Sequence, residues 1–206
     1  FHLMGQHVNY KQRYRTKQAR FWASSYEDKR PELTNAQRKM LSHYDNATLY
    51  NDSIVAQIVK RFQKQDAIVI YVPDHGEECY EENRGFICRN HSAEIDWPLA
   101  HYEFEIPFWI YCSPKYIRNH RDIYRQIRKV KDKRFMTDAL PHLLLYLAGI
   151  ETPTYKEEYN ILSPKYDEMR PRILKNSADY DKLRDAHLEK IKKEESKKVK
   201  KKERRN

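Results

Sequence analysis

Six apolar residues, Ala67 to Val72, run into Pro73-Asp74-His75-Gly76-Glu77, so a carboxylate and an imidazole stand side by side where the run ends. The run is short for a core helix and rich in β-branched residues, which reads as a strand covered on both faces, as in a parallel sheet. Open α/β sheets bind ligands at the carboxyl ends of such strands. Pro73 stops the ladder there and Gly76 lets the backbone turn away. A carboxylate oxygen and a neutral imidazole nitrogen suit a zinc-like ion. The same tripeptide also serves as a plain turn, with Asp74 capping the next segment and His75 in water.

The elements around this edge alternate. Leu49, Ile54, Val55, Ile58, Val59 and Phe62 recur at helical spacing, with Asp45 placed to cap the start, and this helix leads into the strand at Ala67. Phe104 to Cys112 reads as a second buried strand, in which Pro107 demands an edge or a bulge. Lys115 to about Lys131 reads as one charged, exposed helix. Thr137 to Ala148 is an apolar helix that Gly149 stops in the left-handed conformation, and its His142 is a core or capping histidine rather than a ligand. Helices alternating with strands give an α/β layered domain.

Composition narrows the classes. The chain has 206 residues, 39% hydrophobic content and a mean hydropathy of -1.01, enough length for one rather polar domain. No apolar run approaches the roughly 20 residues of a membrane span, and no signal-peptide pattern is present. The net charge is +10. From Glu189 to Asn206 there are 8 Lys and 2 Arg against 4 Glu, so over half of the excess sits in the tail. We read residues 1–175 as the folded domain and 176–206 as a lysine-rich, helical or disordered, solvated tail, to which anionic lipid is the alternative partner. Nucleic acid is not a partner, because no aromatic follows Tyr180 to stack on bases. Cys79, Cys88 and Cys112 leave at least one thiol unpaired; a Cys79–Cys88 disulfide and two buried free thiols are both open, and no Cys-x-x-Cys pair supports a cysteine zinc site.

Four stretches resemble one family. Phe1-His2-Leu3-Met4-Gly5-Gln6-His7 with Tyr10-Lys11-Gln12-Arg13-Tyr14 is similar to a His-x-Met-Gly-Ser-His segment and its Tyr-x-x-Arg-Tyr continuation. Tyr44-Asp45-Asn46 with Tyr50 and Asp52 comes next, and Tyr71-Val72-Pro73-Asp74-His75-Gly76-Glu77 comes after it. Glu105-Ile106-Pro107-Phe108 and Asp138-Ala139-Leu140-Pro141-His142 complete the order over residues 1 to 150. Together they resemble the membrane phosphoethanolamine transferases of Gram-negative bacteria, a sulfatase-like branch of the alkaline phosphatase superfamily. Gln6, Val8 and Glu78-Cys79 depart from the family pattern.

The resemblance implies a layered α/β/α alkaline phosphatase/sulfatase-like domain, incomplete at its N-terminal side. It implies that Asp74 and His75 bind catalytic zinc, one ion or two. His7, His91 and His2 line the site for the phosphoryl group or a second metal, and Glu77 braces a ligand from outside the metal's own shell. The family's threonine nucleophile and a glutamate ligand precede the His-x-Met-Gly region. The expectation is therefore the C-terminal part of a longer enzyme, inactive alone, whose upstream part carries the membrane helices. Such an enzyme takes phosphoethanolamine from a phospholipid to a surface glycolipid, lipid A or a core sugar, at the periplasmic face of the inner membrane. A sulfatase or phosphodiesterase on the same metal edge is the near alternative, and a non-catalytic sulfatase-like module the more distant one. Glu78, Glu81 and Glu82 read as solvated.

Overall fold

The computed structural model describes residues 1–89 and 94–203. The principal elements are α1 (Asn35–Phe62), β1 (Ile68–Tyr71), β2 (Glu78–Cys79), β3 (Phe86–Cys88), α2 (Trp97–Phe104) and β4 (Trp109–Cys112). After these come α3 (Pro114–Asn119), α4 (Arg121–Lys129), α5 (Leu140–Ala148), β5 (Ile173–Leu174), β6 (Ala178–Asp179) and α6 (Tyr180–Glu203). The chain divides into two compact units. One comprises Phe1–Pro73, Glu77–Asn90 and Pro107–Asn119, and the other Asp74–Gly76, His91–Ile106 and His120–Asn206.

The first unit is built on α1. Thr34 caps it: its hydroxyl accepts from Gln37 N, and the Gln37 side chain accepts in return from Thr34 N at 2.7 Å. Asp45, expected to open this helix, lies inside it and accepts from the Tyr26 hydroxyl. The helix starts ten residues earlier because Ser42, Asn46 and Ala47 form its buried face, a polar and small stripe that a search for apolar periodicity passes over. Asn46 is 3% exposed and fully used: its oxygen accepts from Arg20 N and Phe21 N, and its amide donates to Phe21 O and Ser42 O. That one side chain fastens the N-terminal segment to α1.

The apolar run forms β1, but not as part of a parallel sheet. β1 pairs antiparallel with β4, Ile68 opposite Cys112 and Tyr71 opposite Trp109, and the Tyr71 and Trp109 rings stack at 5.2 Å. All four β1 residues are half-buried rather than covered on both faces. The second strand begins only at Trp109, after Pro107, which therefore needs neither an edge position nor a bulge. Ser113, fully buried, closes the ladder: its hydroxyl donates to Gln65 O and accepts from Ala67 N and from Tyr116 N, the latter starting α3. The single helix expected over Lys115–Lys131 is two, α3 and α4, broken at His120.

In the second unit Asp96 caps α2 through Leu99 N at 3.0 Å, and Leu99 and Ala100 pack with Ile95, Leu174 and Tyr180. Gly149 ends α5 at φ 66°, as its sequence position requires. The β5–β6 hairpin feeds directly into α6, whose first turns are anchored by Tyr180 and Leu183. Asp181, 17% exposed, gathers three guanidinium groups: Arg134, Arg172 (2.6 Å) and Arg184 (3.2 Å). The Arg172 hydrogen bonds hold its carboxyl below the usual carboxylate range, with the charges of Arg134 and Arg184 adding to the shift. A depressed carboxylate stabilises the fold above the ordinary pKa of about 3.9 and loses that contribution as pH falls through the folded value. Asp181→Asn is therefore expected to cost about 2 kcal/mol at pH 7, and the difference from the native protein to vanish in thermal melts taken at progressively lower pH below about 4.

Candidate functional site

Asp74 and His75 follow β1 at a bend, and the next residue, Gly76, lies so close to the end of α2 that a Cβ there would fall 2.2 Å from Tyr102 O. The Gly76 N–H donates to Glu103 O at 2.8 Å, so the motif is sewn to the end of α2. His75 Nδ1 lies 2.7 Å from Gly76 O, an acceptor only, so Nδ1 carries the proton. Nε2 then turns its lone pair toward Asp74 Oδ2, 3.7 Å away, while Asp74 Oδ1 accepts from His75 N at 3.2 Å. Two ligands of one zinc ion, each about 2.0–2.1 Å from it at near-tetrahedral angles, stand roughly 3.4 Å apart. The pair fits that spacing, and the bond to Gly76 O fixes the orientation of the His75 ring, as an outer contact would for an imidazole bound to a metal. Asp74 is exposed, its side chain 88% accessible, and its position costs the fold little. Among the described residues no three His, Cys, Asp or Glu side chains gather as a metal cluster.

His7 is held separately, in the first unit. Gly5, at φ 48°, turns the chain so that His7 N donates to Met4 O at 3.1 Å, and Arg13 Nε donates to His7 O at 2.7 Å. The ring is exposed; Nδ1 is 2.6 Å from Val8 O and Nε2 is 3.3 Å from Arg89 Nη2. His2 is exposed on the segment before this turn. His91 lies outside the described residues. His142 accepts from Lys156 N at 3.1 Å and packs on Tyr155 and Tyr159.

Glu77 opens a hairpin, β2 paired antiparallel with β3, that carries the chain out and back after the motif. Its carboxylate accepts from the hydroxyl of Tyr10, which is 1% exposed in the core with Ala47 and Cys79, and from the Cys88 thiol at 3.7 Å. Burial, then the Glu77 carboxylate, pushes the Tyr10 hydroxyl far above its usual range, and burial does the same to the Cys79 thiol. All three cysteines are free thiols here, with Cys79 and Cys88 both approaching the Tyr10 hydroxyl. Glu78 is not solvated: it is fully buried and paired with Arg84 at 2.7 Å. Glu81 likewise turns inward to accept from Cys79 N. Arg89 was not singled out from the sequence, and Tyr10 and Arg13 entered only as positions of the Tyr-x-x-Arg-Tyr resemblance, with no role assigned. The one available signal was their place in the same two segments that carry His7 and His91.

Comparison with known proteins fixes the family. The model of the family described as Sulfatase matches residues 1–150. The chain belongs to the sulfatase family. It is 32% identical over 170 residues to the phosphoethanolamine transferase EptC of Escherichia coli, covering 81% of this chain and 28% of that protein. It is 31% identical over 136 residues to the Kdo(2)-lipid A phosphoethanolamine 7''-transferase of the same species, covering 65% of this chain and 22% of that one. The crystal structure of the C-terminal periplasmic domain of E. coli EptC superposes with a TM-score of 0.70 at 28% identity, covering 88% of this chain and 51% of that one. The same domain in complex with Zn gives 0.68. The fold of this sulfatase-family chain is thus the α/β alkaline phosphatase-like one. The chain spans under a third of the length of the curated relatives it matches and about half of the solved domain. No helix among the described residues is long and apolar enough to cross a membrane.

Proposed function

We propose that this chain is part of the catalytic domain of a zinc-dependent phosphoethanolamine transferase. It would act at the periplasmic face of the inner membrane, taking the group from a phospholipid such as phosphatidylethanolamine to a glycolipid, lipid A or a core sugar. The relatives' names support the transferred group and, for one of them, a lipid A acceptor; a solved relative's complex with Zn supports the metal. The observation in this chain that carries the reading is the Asp74–His75 pair, its nitrogen and oxygen donors facing one another at 3.7 Å with the far ring nitrogen tied to Gly76 O.

Asp74 and His75 would hold the metal, which when bound supplies Lewis acidity to the phosphoryl oxygens. The Gly76 carbonyl keeps the proton of His75 on Nδ1, so that Nε2 remains a donor of electrons. Glu77, gripped by Tyr10, anchors the start of the β2–β3 hairpin. His7, His2 and His91 are assigned to the phosphoryl group or a second metal, and no residue of this chain is assigned as nucleophile.

The test is the full-length gene product in detergent with zinc, headgroup-labelled phosphatidylethanolamine and lipid A. Label on lipid A by mass spectrometry is the expected result. Label released as free phosphoethanolamine, with the acceptor present and unmodified, would make the protein a hydrolase. No turnover of the donor would leave a non-catalytic module.

A further inference from the structure

We propose that Arg89 is a substrate-binding residue whose guanidinium takes a non-bridging oxygen of the phosphoryl group beside His7. The inference rests on the phosphoryl-transfer reading and adds to it a residue that reading does not contain.

Arg89 Nη2 lies 3.3 Å from His7 Nε2. A guanidinium has no lone pair to offer, so the ring nitrogen facing it is the acceptor, in agreement with Nδ1 giving its proton to Val8 O at 2.6 Å. A neutral imidazole in this tautomer presents no N–H outward from Nε2. It cannot by itself donate to a phosphate oxygen there, and the donor at that place is the arginine.

The His7 loop is not held by this contact. Arg13 already clamps its backbone, with Nε on His7 O at 2.7 Å and Nη2 on Val8 O at 3.4 Å, and Gly5 supplies the turn. Two arginines therefore serve one loop in different ways: Arg13 donates to its carbonyls, and Arg89 donates through Nη2 to the ring.

The base beneath Arg89 is firm. The residue leaves β3 directly after Cys88, whose thiol is joined to Glu77 and to the buried Tyr10 hydroxyl. The β2–β3 hairpin that begins at Glu77 thus returns the chain to deliver one cation at the half-buried to exposed rim around His7. Guanidinium is the side chain best matched to phosphate, binding it through a planar fork of donors, and a preplaced cation stabilises charge as it spreads over the non-bridging oxygens in transfer.

The experiment titrates inorganic phosphate into the zinc-loaded full-length protein at fixed ionic strength, for the native protein, Arg89→Met and Arg89→Lys, by calorimetry. Arg89→Met is expected to weaken phosphate at least tenfold. Arg89→Lys, which keeps the charge and a donor to His7 but not the fork, should fall between and controls for folding, with thermal midpoints measured on all three. Phosphate affinity equal in the native protein and both variants, or no phosphate binding by the native protein, overturns the inference. Transfer activity assayed on the same preparations separates the two claims. Transfer that persists while phosphate affinity ignores Arg89 rejects the arginine and keeps the transferase. Weakened phosphate in Arg89→Met without transfer by the native protein keeps the arginine and rejects the transferase.

Discussion

Alanine in place of Asp74 or His75 is expected to abolish phosphoethanolamine transfer by the full-length protein, lowering turnover about 1,000-fold or more, the equivalent of at least about 4 kcal/mol in the barrier. The size reflects the poverty of the pair. In the proposed reading Asp74 and His75 are the two donors to the metal among the described residues, so either substitution removes one of the two. Folding should not track activity. The Asp74 side chain is 88% accessible and its one backbone contact, to His75 N, is local. With zinc stripped from both, Asp74→Ala should therefore melt with the native protein, while after zinc loading and dialysis its metal content, by elemental analysis, falls. Asp74→Asn keeps an oxygen donor without the charge and should retain part of the zinc. Turnover surviving Asp74→Ala at the native rate would remove the metal assignment. A midpoint lowered in the metal-free variant as well would mean that the residue serves the fold instead.

What the sequence displayed was local chemistry, and what it hid was partnership. Pro73 and Gly149 act where they stand, by restricting or freeing the backbone just beyond an element, whereas Gly76, whose φ is not positive, is required by the close approach of Tyr102 O. The apolar run at Ala67–Val72 announced a strand for the same reason. Its neighbour could not be read, because unbroken hydrophobicity reports burial and not direction, and the partner, β4, arrives some 40 residues later and antiparallel. The N-terminus of α1 escaped because its buried stripe is Ser42, Asn46 and Ala47. Asn46 is buried for its four hydrogen bonds to backbone, which no hydropathy pattern registers.

The site divides along the same line. Asp74 and His75 stand out in the sequence because they are adjacent and follow a strand, and the structure sets their donors 3.7 Å apart. The resemblance supplied His7, His2 and His91, which spacing alone would not have gathered. Glu78 and Glu81 looked solvated as part of an acidic run. The hairpin instead turns them inward, toward Arg84 and the Cys79 amide, contacts that hydropathy does not register. Arg89 was one basic residue among 40 until the fold set it against His7.

Gly76→Ala is expected to be the most damaging single methyl in the chain. A Cβ built there falls 2.2 Å from Tyr102 O, 3.2 Å from Tyr102 C and 3.4 Å from Glu103 Cα. All three are main-chain atoms at the end of α2, so no rotamer change relieves the overlap, and either the bend or the helix end must move. Overpacking of this kind costs roughly 1–3 kcal/mol and here should reach the upper end, since the Gly76 N–H to Glu103 O bond is strained by the same shift. The larger consequence is chemical. Gly76 O is the acceptor that orients His75, and displacing a ligating group by about 1 Å is worth on the order of 100-fold in rate. Zinc affinity and turnover should therefore fall further than the loss of stability explains. Gly149→Ala is the control: its φ of +66° imposes a strain of about 1–2 kcal/mol, but the new Cβ meets nothing within 4 Å. It should lower the thermal midpoint while leaving zinc binding and turnover intact. Equal activity in the two variants would mean that His75 is not oriented through Gly76, and the ligand assignment would lose its geometric support.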